Sequence, residues 1–381
     1  MSKKRDIRYF LTGHVSLKWL EKKCLYDIEK DELYELDDEG YEFLAECASD
    51  GGGMTDDSEF IQYCKDEGIL QDKKSRDHRL PANRAIIPSL RYLELQITDR
   101  CNLNCRHCYI GGRGARELEV GAIESIMKEL ETMQGLRLLI TGGEPLLHSS
   151  FEELNDILPE YELRKVLFTN GMLLDTSILK GLNVQEIQIS IDGCEEAHDF
   201  LRGKGSYKRS MEAVRAALDA GHDVSISTMV HAGNLSDFDH MEASFRGMGI
   251  REWTVDIPCL EGNLKNNLGV LPPPDISGKY LGYGYGDGLH GGGSGYECGL
   301  HLMSVMADGK AAKCAFYSNE PVGHISEGLE RCWKRIEHRR LSELECDCDA
   351  LDECRGGCRF RASTNGNPLA KDLYRCSYIL K

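Results

Sequence analysis

The stretch Tyr92-Leu-Glu-Leu-Gln-Ile-Thr98-Asp-Arg-Cys101-Asn-Leu-Asn-Cys105-Arg-His-Cys108 decides how the chain is read. Tyr92–Thr98 is rich in branched and aromatic residues and predicts a short buried strand. Three cysteines follow it directly on one loop. Three thiolates so placed can hold three irons of a cubane cluster, leaving the fourth iron open to a small molecule. Zinc is the alternative, with His107 as the nearest candidate for a fourth ligand. A disulfide fits poorly: the N-terminus Met-Ser-Lys-Lys-Arg-Asp is basic, but no apolar signal segment follows it.

Outward from this stretch runs a βα rhythm. Strands are expected at Tyr92–Thr98, Leu136–Ile140, Val166–Asn170, Glu186–Ile191, Asp223–Met229 and Glu252–Ile257. Helical patterns fall between them at Val120–Thr132, Phe151–Leu158, Ser206–Ala220 and Asp237–Met248. Six such units in series predict an α/β fold with a parallel barrel or partial barrel. Such sheets carry their chemistry at the carboxyl ends of the strands.

On the N-terminal side, Cys24–Ile28 and Glu32–Leu36 alternate apolar and polar around the turn Glu29-Lys-Asp, which reads as a hairpin. Helices are expected at Asp37–Cys47 and Asp57–Glu67, the second stopped by Gly68. The charged segment Gln71–Asn83 reads as a linker. On the C-terminal side, residues 282–295 hold eight glycines but no Gly-Lys-Ser/Thr, so they are a loop or insertion and not a phosphate cradle.

Composition bounds the function. The 381 residues are 41% apolar and 29% charged, which is ordinary for a globular protein. No apolar run reaches the ~18 residues of a membrane span, so a cytoplasmic protein with no membrane partner is expected. The net charge of -17 repels polyanions, and nucleic acid is not an expected partner. The 16 cysteines cluster, three within 101–108 and five within 346–376, which favours metal binding.

The C-x3-C-x2-C run after a first strand resembles the radical S-adenosylmethionine superfamily. Thr141-Gly142-Gly143-Glu144-Pro145 resembles the family motif that meets the methionine amino group. Ser190-Ile-Asp192-Gly193 resembles its ribose-binding position, and Arg202 resembles its carboxylate-binding arginine. The resemblance implies a 4Fe-4S cluster on Cys101, Cys105 and Cys108 that binds and reductively cleaves S-adenosylmethionine. A 5′-deoxyadenosyl radical then abstracts a substrate hydrogen.

The run Cys298-x10-Gly309-x4-Cys314, then Cys346-x-Cys348-x5-Cys354-x3-Cys358-x17-Cys376, resembles the SPASM extension of radical enzymes that modify peptides. It implies two auxiliary clusters, one on Cys298, Cys314 and Cys358 and one on Cys346, Cys348, Cys354 and Cys376. Only Asp347 separates the first pair, where the extension usually has two residues. Cys259 is a candidate fourth ligand for the first auxiliary cluster; otherwise that iron is open. A structural zinc knot on Cys346, Cys348, Cys354 and Cys358 is the alternative. Cys24, Cys47, Cys64, Cys194 and Cys332 read as packed thiols.

The hairpin and helices of the first 75 residues resemble the small winged-helix-like precursor-recognition domains (RRE/PqqD-like) fused to peptide-modifying enzymes. The expected organisation is 1–80 peptide recognition, 90–260 partial (β/α)6 TIM barrel, and 261–381 glycine-rich loop plus SPASM domain. The implied activity is maturation of a ribosomally made peptide by cross-linking (thioether or C–C) or epimerisation. Its implied partners are a precursor peptide, with its leader on the N-terminal domain, and a low-potential donor such as flavodoxin or ferredoxin. The alternatives are a tetrapyrrole side-chain enzyme of the same superfamily and a non-catalytic zinc scaffold. Sulfatase maturation is disfavoured because Ala315 stands where those relatives carry an acid, and no general base is assigned.

Overall fold

The computed structural model describes residues 7–111, 114–286, 288, 293, 295–364 and 366–379. Among these the strands are β1 (Phe10–Leu11), β2 (Val15–Trp19), β3 (Lys23–Asp27), β4 (Glu32–Glu35), β5 (Leu70–Gln71), β6 (Tyr92–Thr98), β7 (Arg137–Gly142), β8 (Arg164–Thr169), β9 (Glu186–Ser190), β10 (Asp223–Met229), β11 (Glu252–Asp256), β12 (Leu302–Val305), β13 (Lys310–Ala312) and β14 (Gly323–His324). The helices up to residue 250 are α1 (Asp38–Cys47), α2 (Ser58–Asp66), α3 (Val120–Thr132), α4 (Phe151–Ile157), α5 (Thr176–Gly181), α6 (Glu195–Arg202), α7 (Ser206–Asp219) and α8 (Phe238–Met248).

Strands β6 to β11 lie side by side in chain order, all parallel, with helices between them. Leu93, Leu95, Ile140, Leu167, Ile189 and Ile226 are buried between the sheet and its helices. Each such side chain contributes roughly 1.5–3 kcal/mol when fully buried. In β9, Glu-Ile-Gln-Ile-Ser, and β10, Asp-Val-Ser-Ile-Ser-Thr-Met, these apolar residues alternate with polar ones, and the short runs of branched residues made the strands visible in the sequence.

The N-terminal unit is a three-stranded antiparallel sheet, β2-β3-β4, beside the small β1-β5 pair. The Asp37 side chain caps α1 by accepting from the Gly40 N–H, and Asp57 caps α2 by accepting from Glu59 and Phe60. Leu11, Leu17, Leu25, Phe43 and Leu44 form the core of this unit. Tyr26 and Ile28 pack instead with Leu136, at the entrance to β7.

The β3–β4 turn plugs the amino-terminal end of the barrel. Arg164, fully buried at the start of β8, donates to the carbonyls of Ile28 (2.9 Å) and Glu29 (2.7 Å). The same guanidinium pairs with Glu186 at the start of β9 and Asp223 at the start of β10, each at 2.9 Å. Asp31 of the turn accepts from Arg137 Nε at the start of β7 (3.0 Å) and from Tyr26 Oη (2.5 Å). Arg251, just before β11, donates to the Lys30 carbonyl (2.6 Å). Five consecutive strands are thus tied to one turn at their amino ends.

Several details differ from the sequence reading. The segment Gln71–Asn83 is no free linker, since Arg76 pairs with the buried Glu162 at 3.0 Å. Helices α5 and α6 escaped detection because six and eight residues give too little periodicity. The C-terminal region is not detached from the barrel: β12 pairs parallel with β6, Leu302 opposite Tyr92, and β13 and β14 continue the sheet. Cys194 is half-buried, whereas Cys24, Cys47, Cys64 and Cys332 are buried as expected. The glycine-rich loop falls partly outside the described residues. No helix among the described residues is long and apolar enough to cross a membrane.

Candidate active site

At the carboxyl ends of the barrel strands lies a cavity of about 750 Å³. Cys101, Cys105 and Cys108 line it, as do Gly142, Gly143, Ser190 and Arg202. The sequence-predicted residues therefore meet at the end of the barrel that the βα rhythm pointed to.

The cysteine loop is held from two sides. The Gly143 N–H donates to the Thr98 carbonyl and the Glu144 N–H to the Arg100 carbonyl, both at 2.8 Å. A Cβ on Gly142 would lie 2.4 Å from Thr98 O, and one on Gly143 would lie 2.4 Å from Arg100 O. These glycines are required by the close approach of the cysteine-bearing chain, a tighter constraint than approach to a ligand. On the far side, the Asn263 N–H donates to the Cys108 carbonyl (2.8 Å) and its side-chain amide to the Cys105 carbonyl (2.9 Å). Gly262, at φ +53°, sits where a Cβ would meet Cys108 O at 2.2 Å. Neither Gly262 nor Asn263 stood out in the sequence, because Glu-Gly-Asn matches no motif tied to this chemistry.

Two predicted residues stand behind the cavity wall. Glu144 is fully buried and does not line the cavity. Its carboxylate accepts from Thr169 Oγ1 (2.8 Å), the Asn170 N–H (2.9 Å) and the Leu146 N–H (3.3 Å). Burial pushes its carboxyl up to about 7 against these hydrogen bonds. Asp192 is also fully buried behind the wall, paired with Arg202 and accepting from the Met229 N–H at 2.7 Å. Although burial opposes it, the Arg202 guanidinium holds the Asp192 carboxyl far below the usual range. Arg202 is thereby oriented by a fixed anion while still lining the cavity. His107 also lines the cavity, and its buried Nδ1 has no hydrogen-bond partner. Burial, the largest effect, lowers the His107 imidazole to about 3, so the ring is neutral.

The same cavity reaches the second cysteine array, where Cys259, Cys298, Cys314 and Cys358 line its other wall. Cys346, Cys348 and Cys376 lie outside it but gather with Cys354, which does line it. Burial raises the Cys376 thiol, and neighbouring Cys346, Cys354 and Cys348 raise it further. Cys346 therefore keeps company with the other three despite the shortened spacing. Among the described residues no three His, Cys, Asp or Glu side chains converge on a point that would hold a single ion. A cubane spaces its cysteines more widely than one ion does, and an all-thiol donor set suits iron and sulfide. Cys101, Cys105 and Cys108 around one cavity, beside a cationic Arg202 and an unpartnered imidazole nitrogen, fit a cluster with a zwitterionic small-molecule ligand.

Mycofactocin maturase MftC of Mycolicibacterium smegmatis is 29% identical over 313 residues, 73% of this chain and 80% of that protein. AdoMet-dependent heme synthase of Methanosarcina barkeri is 33% identical over 159 residues, 39% of this chain and 44% of that protein. The crystal structure of Streptococcus suis SuiB bound to precursor peptide SuiA shares the fold, with a TM-score of 0.65 at 14% identity, covering 96% of this chain and 98% of that one. Residues 95–243 match the Radical SAM superfamily. That match begins within β6, ends within α8 and spans every barrel strand end at the cavity but the last, and the chain is a radical S-adenosylmethionine iron–sulfur enzyme.

Proposed function

We infer that this chain matures a ribosomally made precursor peptide, installing a cross-link (thioether or C–C) or inverting a residue. The observation that carries the reading is one cavity walled by both cysteine arrays, on a barrel whose opposite end is plugged by a small sheet domain. When bound at Cys101, Cys105 and Cys108, a 4Fe-4S cluster supplies the electron that cleaves S-adenosylmethionine to a 5′-deoxyadenosyl radical. Gly142, Gly143 and Ser190 face that cofactor, and Arg202, held by Asp192, receives its carboxylate. Glu144 braces the wall through Thr169 and Asn170. Cys298, Cys314 and Cys358 serve a first auxiliary cluster, and Cys346, Cys348, Cys354 and Cys376 a second.

The leader segment of the precursor pairs with β4, the edge of the three-stranded sheet. The Leu36 N–H donates inward to the Lys23 carbonyl, so alternation turns the main-chain groups of Leu33 and Glu35 outward. The domain division proposed is 1–80, 90–260 and 261–381, in a cytoplasmic enzyme fed by a flavodoxin or ferredoxin. The tetrapyrrole alternative predicts a dispensable N-terminal domain. Its removal would take Asp31 away from Arg137 and strip Arg164 of two carbonyl partners, so the plug favours the peptide reading.

The test is anaerobic incubation of the reconstituted protein with S-adenosylmethionine, reductant and the short peptide encoded beside its gene. Mass spectrometry should find a peptide that has lost two hydrogens, or one that has taken up solvent deuterium at a single α-carbon. An unaltered peptide, with porphyrin consumed when it is supplied in a parallel reaction, would overturn the reading.

A further inference from the structure

Strand β6 carries a single charged side chain, and it faces the inside of the barrel. Alternation sends Leu93, Leu95 and Ile97 to the helix-packed core and leaves Glu94 on the other face, where it lines the cavity. Neutral donors hold its carboxylate. Ser304, opposite it on β12, donates its hydroxyl to Oε2 (2.8 Å), and the Tyr109 hydroxyl donates to Oε1 (3.4 Å). The Ala315 main-chain N–H lies within reach of the same group. Among the described residues no cation pairs with it.

Two other described carboxylates line the cavity. Asp256 is paired with Arg361 at 2.7 Å, and Glu353 is exposed. Glu94 is thus the enclosed carboxylate that no guanidinium has claimed. Tyr109 directly follows Cys108, and Ala315 directly follows Cys314, so Glu94 meets one residue from the loop of each cysteine array. Ala315 also stands where sulfatase-maturing relatives carry an acid. Its buried methyl group lines the cavity here, and β6 brings a carboxylate to the same spot from a distant part of the chain. The competing acceptor is the neutral His107 imidazole, which sits 3.9 Å from Asp192, on the Arg202 side of the cavity.

We propose that Glu94 is the proton acceptor of a peptide cross-linking reaction. This role rests on the reading of the chain as a precursor-peptide maturase, and within that reading it selects cross-linking over inversion. Abstraction breaks one substrate C–H bond and forms 5′-deoxyadenosine. The substrate carbon then bonds to a second group, a thiol sulfur or an aromatic carbon, whose hydrogen leaves as a proton to a Glu94 oxygen. The one remaining electron goes to a one-electron oxidant, an oxidised iron–sulfur cluster. The peptide has lost two hydrogens, one as an atom and one as a proton plus an electron. An inversion returns a hydrogen to the same carbon and leaves no proton for Glu94 to take.

The experiment uses the full reconstituted chain and the short peptide encoded beside its gene, deuterated at carbon. Cross-links formed per 5′-deoxyadenosine, read by mass spectrometry and chromatography, should fall about 100-fold or more in Glu94→Gln, the ordinary weight of a general base. Deuterium should still pass from the peptide to 5′-deoxyadenosine in this variant. Its metal-free form should still bind a fluorescent copy of the peptide, read by anisotropy. Glu94→Asp should recover part of the lost coupling. An unmodified chain that leaves the peptide unaltered defeats the maturase reading and this role with it. An unmodified chain that inverts a residue defeats the role of Glu94 alone, as does a Glu94→Gln variant that couples as well as the unmodified chain. So does loss of deuterium transfer or of peptide binding in Glu94→Gln, since either failure precedes the proton step.

Discussion

The two ends of the barrel are built on opposite principles. At the amino ends of β7 to β10, charged side chains answer one another: Arg137 meets Asp31, and Arg164 meets Glu186 and Asp223. At the carboxyl ends, thiols and Arg202 surround a cavity of about 750 Å³ instead of filling it. A buried charge is tolerable only when paired, so the plug end spends its polar groups on the fold. The cavity end keeps groups available for a cofactor. Arg202 bridges the two styles, holding Asp192 with part of its fork and facing the cavity with the rest.

The contrast is broken if a change at one end has the other end's effect. Cys105→Ala should abolish S-adenosylmethionine cleavage, read as 5′-deoxyadenosine by chromatography, while the metal-free chain unfolds at the same urea midpoint as the unmodified chain. A lowered midpoint would make Cys105 part of the fold. Asp31→Ala should do the reverse, costing about 3–5 kcal/mol because a buried guanidinium loses its anion. Cleavage per folded molecule should hold steady; equilibrium urea unfolding and assays on the refolded fraction check both halves.

The smallest effect concerns Lys18, buried between the N-terminal sheet and the barrel, where it donates to the Glu162 carbonyl. Burial lowers its ammonium from 10.5 to about 8 in the folded chain. Between those values the unfolded chain holds a proton that the folded chain has shed, so this residue's contribution to stability rises with pH across that window. Urea midpoints of the metal-free chain should show a shallower rise from pH 8 to 10 in Lys18→Met. An unchanged slope would mean that Lys18 stays charged in the fold.

The sequence disclosed the two ends unequally. The cysteine loop was legible because its three thiols lie within eight residues and directly follow a strong strand. Gly142 and Gly143 were legible as a motif, but their physical task was not, since the atoms they make room for belong to Thr98 and Arg100. Glu144 and Asp192 were legible as motif residues, but the partners on neighbouring strands that hold them, Thr169 and Met229, were not. The plug was invisible: Arg164 looks like any cation at the start of a strand until the β3–β4 turn arrives from more than a hundred residues away. Asn263 was hidden for the same reason, its targets being carbonyls that carry no sequence signature.

The pairing of β12 with β6 bears on how electrons travel. Tunnelling rates fall steeply with separation, so a redox relay works only as well as its spacing is kept. Here β6 runs into the loop bearing the first three cysteines, while β12 lies between Cys298 and Cys314. Main-chain hydrogen bonds between these two strands act as a ruler: the gap between the two groups of cysteines is a dimension of one sheet.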